Sequence, residues 1–196
     1  MRFSKLLLAV ISAAVLLAGL TGSSTAGRIS FSHQNLRGTW TRMNFTGGFG
    51  TVECEVVVEG TLHTRTIAKT IGTLLGYVTA ANVTRCARGG ASVLRETLPW
   101  HVQYASFSGT LPNITGAGTN IINASWRIRE PTFGVTCLSR TNASTPLTGS
   151  WEINARVIES ITVGGTIPCG SFSGTISGTT ATAGSQEGAR VTVTLI

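Results

Sequence analysis

Residues 51–59 read Thr-Val-Glu-Cys-Glu-Val-Val-Val-Glu, and apolar and polar side chains alternate along most of this stretch. The positions of one parity are all apolar: Val52, Cys54, Val56 and Val58. The positions of the other parity are mostly acidic: Glu53, Glu55, Val57 and Glu59. A period of two is typical of a β-strand that buries one face and exposes the other. The segment therefore predicts a half-buried strand at the edge of a core.

The same alternation returns in residues 119–129 and 149–157, and it places Trp126 and Trp151 on apolar faces. Both indoles are therefore predicted to pack in the core. Shorter candidate strands cover residues 29–33, 39–45, 77–85, 93–98, 101–107, 133–138 and 191–196. About ten strands separated by Gly, Asn, Ser and Thr predict an all-β fold. Its expected architecture is an antiparallel sandwich or a closed barrel.

One segment departs from the period of two. Ile67, Ile71, Leu74, Leu75 and Val78 recur at the spacing of one helical face. This spacing predicts one short helix near residues 66–75.

Two connections are also predicted from the sequence. Glu59-Gly60-Thr61 is expected to form a three-residue turn with Gly60 at positive φ. Residues 179–188 are rich in small and polar residues, which is typical of a flexible loop before the last strand.

The first 26 residues have the features of an export signal. Arg2 and Lys5 precede an apolar run from Leu6 to Leu20, and Ser24-Thr25-Ala26 supplies small residues at a cleavage position. The run is shorter than the ~20 residues that span a bilayer as a helix. The sequence predicts that residues 1–26 are removed and that 27–196 form a single secreted β domain in the extracellular space or cell envelope.

All four cysteines lie in the predicted mature chain, and export would bring them into an oxidising compartment. Two disulfides are therefore expected, and four cysteines allow three pairings. Cys54 and Cys86 have the same separation in sequence as Cys137 and Cys169, which favours these two local pairs. Spacing alone leaves the other pairings open.

The residues that most catalytic and metal sites need are missing. All eight acidic residues are Glu, so no Ser-His-Asp triad can form. The sequence also contains no G-x-S-x-G, H-E-x-x-H or phosphate-binding glycine motif. We therefore predict no catalytic, cofactor-binding or metal-ligating residues, and a protein that is not an enzyme.

The formal net charge is +7, or +5 without Arg2 and Lys5 of the predicted signal, and this basic balance favours an anionic partner. The leading prediction is a non-enzymatic extracellular domain that binds a small ligand or an anionic envelope polymer. Nucleic acid is not expected, because aromatic residues are not interleaved with the basic ones. The alternatives are a structural surface protein that self-associates and an outer-membrane barrel, which would show the same alternation.

Trp100 and His101 are the candidate ligand contacts. Trp100 follows Pro99, which cannot donate to a strand ladder, and its other neighbours include the polar His101 and Gln103. The Trp100 ring is therefore expected at a rim, where an aromatic face could meet a ligand.

Two segments resemble known families of ligand-binding barrels. Leu36-Arg37-Gly38-Thr39-Trp40 resembles the L-x-G-x-W start of lipocalins, and Leu147-Thr148-Gly149-Ser150-Trp151 resembles avidin strands. The resemblance implies an eight-stranded barrel for small apolar ligands. Both families use an Asp that this sequence lacks, so none of their ligand residues carries over. Residues 62–67 and 107–114 are similar to small secreted bacterial β-proteins, which implies no particular activity.

Overall fold

A computed structural model of the protein describes residues 27–48, 50–110, 112–130, 134–169 and 172–196. The predicted export signal, residues 1–26, lies outside the described residues. Strands account for 72% of the structure and helix for 2%, which confirms the all-β prediction.

Fifteen strands and one short 3-10 helix follow each other along the described chain. The strands are β1 Arg28–Phe31, β2 Asn35–Gly47, β3 Gly50–Leu62, β4 Thr66–Ala68, β5 Leu74–Cys86, β6 Gly90–Val93, β7 Trp100–Thr110, β8 Asn113–Ile122, β9 Ser125–Arg129, β10 Thr136–Arg140, β11 Leu147–Asn154, β12 Val157–Cys169, β13 Phe172–Thr179, β14 Thr182–Ser185 and β15 Val193–Leu195. The 3-10 helix, Arg95–Thr97, lies between β6 and β7.

Eight of these strands form a closed hydrogen-bonded ring. Its order is β2-β3-β5-β7-β8-β11-β12-β13, and β13 pairs back to β2. Every pairing around the ring is antiparallel. β13 pairs with residues 44–47 of β2, and β14 pairs with residues 36–39 of the same strand. The ring therefore closes through the second half of β2, and the first half of β2 pairs with β14 outside the ring.

Two three-stranded sheets complete the described fold. The β6–β9–β10 sheet contributes Trp126, Ile128 and Cys137 to a core cluster that includes Phe45 and Val56 of the ring. The β1–β4–β15 sheet contributes to a second cluster, whose members include Ile29, Ile67, Val193 and Leu195. Each small sheet therefore packs its apolar side against a different part of the ring.

The alternating faces predicted around residues 51–59, 119–129 and 149–157 are present, but two of the strands end earlier than predicted. Asn123 adopts a φ of 67° and separates β8 from β9. Ala155 and Arg156 adopt φ values of 46° and 69° and form a two-residue hairpin turn between β11 and β12. Positive φ at both central positions matches the twist of antiparallel strands. The Ala-Arg pair is not a common turn sequence, so pattern alone missed it.

The predicted helix near residues 66–75 is wrong. Thr66–Ala68 form β4, and Leu74 begins β5. Gly72 between them has a φ of 82°, which is outside the helical range. Ile67 and Leu75 are buried, whereas Ile71 is 78% exposed. The helical spacing is therefore coincidental, because two separate strands each bury their own apolar residues.

Three further local predictions are also corrected. Gly60 lies inside β3 rather than in a turn. Such a turn would place Glu55 opposite Arg65, whereas Glu55 pairs with Arg85 across the sheet. Residues 93–98, predicted as a strand, contain the end of β6 and the 3-10 helix. Part of the loop predicted at 179–188 is β14, which pairs with β2.

Both favoured disulfides are present. Cys54 pairs with Cys86, and Cys137 pairs with Cys169. Cys54 and Cys86 are already register partners on β3 and β5. The other bond joins β10 of a small sheet to β12 of the ring. Two such bonds are expected of a protein in an oxidising environment.

Gly60 provides a test of the packing between β3 and β5. A Cβ atom added there would lie 2.7 Å from the carbonyl oxygen of Tyr77. We expect Gly60→Ala to lower the free energy of unfolding by roughly 1–3 kcal/mol, as overpacking typically does. Urea denaturation followed by circular dichroism measures this change.

Gly90 is the matched control, because a Cβ atom there meets no heavy atom within 4 Å. Gly90→Ala should leave stability unchanged or raise it by up to ~1 kcal/mol. Equal stability of the two variants would contradict the close approach of β3 and β5.

Candidate functional site

The interior of the ring contains a cavity, called here the ring cavity. Its empty volume is about 620 Å³, including the open space at its mouth, and the centre of a water molecule can occupy about 90 Å³ of it. Every ring strand except β13 contributes to its wall. The lining residues are Leu36, Arg37, Gly38, Trp40, Val58, Gly60, Thr61, Leu62, Gly76, Tyr77, Val78, Val102, Thr119, Ile121, Gly149, Trp151, Ile161 and Val163.

The two L-x-G-x-W segments both contribute to this wall. Leu36, Gly38 and Trp40 alternate along β2, and Gly149 and Trp151 occupy the corresponding positions on β11. Because successive residues of a strand point to opposite faces, residues two apart share the face that lines the cavity. The sequence signal for the site is therefore this repeated spacing of Leu, Gly and Trp.

The glycines in these segments make room for neighbouring side chains. A Cβ atom at Gly38 would lie 2.9 Å from two ring carbons of Trp40. A Cβ atom at Gly149 would lie 2.6 Å from Thr119 Oγ1 and 3.5 Å from Trp151 Nε1. Larger residues at Gly38 or Gly149 would therefore displace the groups that line the cavity.

The wall offers few polar groups to a ligand. The Thr119 hydroxyl donates to the Gly149 carbonyl oxygen over 3.3 Å and accepts from Trp151 Nε1 over 3.2 Å. Arg37 is the only charged lining residue, and its half-exposed side chain lies 3.6 Å from a carboxylate oxygen of Glu59. No described group hydrogen-bonds the buried Trp40 Nε1. The chemistry of the ring cavity is therefore predominantly apolar.

A second, smaller cavity lies behind Thr119 and Trp151, which line both spaces. The centre of a water molecule can occupy only about 10 Å³ of it. Tyr104 is part of its wall, and burial raises the pKa of the Tyr104 hydroxyl above its ordinary value. This space is close to the minimum that holds one water molecule, so it is too small for an organic ligand.

The predicted rim position of Trp100 is wrong. Trp100 is only 2% exposed, its ring centroid lies 5.3 Å from that of Trp126, and its Nε1 donates to Thr97 Oγ1 over 2.9 Å. The strand begins at Trp100 itself, so the indole shares the inner face with Val102 and Tyr104. The proline before it therefore marks the start of a core strand.

The other tryptophans follow the prediction more closely. Trp126 is 1% exposed and Trp151 is 7% exposed, so both are buried as predicted. Trp151 nevertheless also lines the ring cavity, as does Trp40. Burial in the core and contact with a cavity are therefore compatible on the same indole.

His101 lies on the outer side of β7. Its ring centroid is 5.3 Å from that of Tyr77, which is in turn 4.9 Å from the His63 ring. His101 does not line the ring cavity, and its role as a ligand contact stays a prediction. Among the described residues, no three His, Cys, Asp or Glu side chains come together as metal ligands.

Comparison with known proteins adds no relative. No protein-family model, curated protein or solved structure matches the chain. The resemblances to lipocalins, avidin and small secreted bacterial β-proteins therefore stay predictions. Within the described residues, no helix has the length and apolar character needed to cross a membrane.

Trp100→Ala tests the corrected role of this residue. Because Trp100 is packed in the core, its truncation should cost roughly 3–5 kcal/mol of unfolding free energy, as removal of a buried Trp typically does. Trp126→Ala should cost a similar amount, since both indoles belong to the same core cluster. His101→Ala, on the outer side of the same strand, is the control and should change stability far less. A tolerated Trp100→Ala in chemical denaturation would contradict this placement.

Proposed function

We propose that this protein is an exported, non-enzymatic domain that binds a small apolar ligand inside the ring. The observation that carries this proposal is the predominantly apolar ring cavity between the two core clusters. Ligand sites are typically concave, largely apolar and supplied with few polar groups. The cavity has each of these features.

The size of the cavity limits the ligand. A space of about 10–15 Å³ for the centre of a water molecule holds one water, whereas the ring cavity offers about 90 Å³. A compact cyclic ligand fits this space better than a long chain does.

Two indoles favour a flat or cyclic apolar ligand. Trp40 and Trp151 belong to strands that are three steps apart around the ring, and both line the cavity. Aromatic side chains offer large rigid surfaces that stack on other rings. Each Å² of apolar surface removed from water contributes about 25 cal/mol, so enclosure by these walls favours binding.

Export fits this proposal. The two disulfides match an oxidising compartment, and the N-terminal residues have the features of a removable signal. An exported domain with an apolar cavity would hold a poorly soluble molecule away from water.

The neutral dye N-phenyl-1-naphthylamine provides a direct test. It fluoresces strongly in apolar surroundings and has no charge that Arg37 or the basic surface could attract. We expect saturable binding at one site, with quenching of tryptophan emission because Trp40 and Trp151 line the cavity. Fluorescence titration of the oxidised protein without residues 1–26 measures both signals.

Two neighbouring valines make a matched pair for this titration. Val58 lines the cavity, whereas Val57 lies on the opposite face of β3. Val58→Phe should weaken dye binding by at least tenfold by filling the space, and Val57→Phe should leave binding unchanged. Full-strength binding by Val58→Phe, or no saturable binding by the unmodified protein, would overturn the proposal.

A further inference from the structure

The outer face of the β6–β9–β10 sheet is strongly basic. The strands of this sheet bury alternate residues: Trp126, Ile128, Cys137 and Ser139 face inward. The intervening residues Arg127, Arg129, Leu138 and Arg140 are exposed. We call the three arginines Arg127, Arg129 and Arg140 the arginine face. The sequence separates Arg140 from the other two, and the strand pairing brings it beside them.

Register places the three arginines at neighbouring positions on this face. Arg129 is opposite Thr136, Arg127 is opposite Leu138, and Arg140 is one step further along β10, opposite Ser125. Residues two apart on a strand are separated by about 6.6–6.8 Å. Arg129 and Arg127 are therefore one such step apart along β9, and Arg140 is a diagonal neighbour of Arg127 on β10, about 7–8 Å away.

The ion pairs described in the fold do not involve the arginine face. The three described ion pairs are Arg37–Glu59, Arg42–Glu53 and Arg85–Glu55, all elsewhere in the fold. Arg140 donates to the Asn123 side-chain oxygen over 3.3 Å, which leaves its charge uncompensated. The residues of β6 that share this outer face, Gly90 and Ser92, are also uncharged.

Folding does not explain these arginines. The inner face of the sheet carries the packing, and each arginine points away from it. Arginine offers a planar fork that binds phosphate or carboxylate through two hydrogen bonds, and it keeps its charge at any physiological pH. A row of such forks is suited to a partner with repeated anionic groups.

We propose that the arginine face binds a linear anionic polymer with phosphate or carboxylate groups along its chain. This interaction goes beyond the ring cavity and uses none of the residues that line it. It assigns a specific surface to the anionic partner that the net charge of the sequence favours.

The composition of the face favours such a polymer over nucleic acid. Proteins that bind single strands combine basic grooves with aromatic side chains that stack on bases. The described residues of this outer face are Gly90, Ser92, Arg127, Arg129, Thr136, Leu138 and Arg140, none of them aromatic. Leu138 is also its only large apolar residue, which is little to insert into a lipid surface.

The test uses the oxidised protein without residues 1–26 and two polymer probes, linear inorganic polyphosphate and polygalacturonate. They distinguish phosphate from carboxylate as the preferred group. Affinity is measured by titration between about 50 and 200 mM salt, a range over which charge-driven binding falls steeply. In single-stranded nucleic acid each contacted phosphate adds ~0.7 to the slope of log affinity against log salt, and we expect a similar contribution from each anionic group here.

The test variant is Arg127→Gln/Arg129→Gln/Arg140→Gln. It should bind at least one polymer tenfold or more weakly at the lowest salt, and the slope should fall by about 2 through the loss of three contacts. Arg28→Gln/Arg65→Gln/Arg190→Gln removes the same charge from exposed positions elsewhere and should keep the slope. Near-ultraviolet circular dichroism verifies that both Gln variants fold. Arg→Lys at the three positions of the arginine face keeps the positive charges and should restore the slope that the Gln variant loses.

Three results would overturn the proposal. Equal losses in the two Gln variants would show that only net charge matters. Failure of both polymers to bind would remove the interaction itself. Tighter binding to single-stranded DNA or to vesicles with phosphatidylglycerol than to either polymer would assign the face to another class of partner. Dye titration tests the ring cavity and polymer titration tests the arginine face, so either proposal can fail without the other.

Discussion

Pairing of β2 with β13 turns a long antiparallel sheet into a ring. The second half of β2 makes this closure with β13, and its first half pairs with β14. The other edge of β2 pairs with β3 on both sides of a bulge between Trp40 and Met43. A closed sheet has an inner and an outer face, so alternation along each strand becomes a choice between interior and surface. The core clusters, the ring cavity and the exposed charges all depend on that closure.

The interior is filled unevenly because different sheets pack against different parts of the ring. Trp126 and Ile128 of β9 enter one core cluster, and Val193 of β15 enters the other. Between the clusters the wall contains glycines where other inner positions have large side chains, as at Gly38 and Gly149. The space that remains between the two clusters is the ring cavity.

The sequence predicts strands well where one face is entirely apolar, as around Val56, because burial imposes a period of two. It predicts their ends poorly. Asn123 and Arg156 turn the chain by adopting positive φ, which pattern does not reveal for these residues. The ring cavity was not predictable from alternation, since a residue that packs and one that faces a void have the same polarity. Trp100 was misplaced for a related reason: the partners that bury it come from distant strands.

The two disulfides differ in what they restrain. Cys54–Cys86 links strands that already hydrogen-bond to each other, so it reinforces an existing ladder. Cys137–Cys169 joins β10 to β12 and so fastens the β6–β9–β10 sheet to the ring. The β1–β4–β15 sheet contains no cysteine and is held by hydrogen bonds and apolar packing alone. The two small sheets are therefore attached to the ring differently. Local unfolding can release the β1–β4–β15 sheet without breaking a disulfide, whereas the β6–β9–β10 sheet stays covalently attached through Cys137–Cys169.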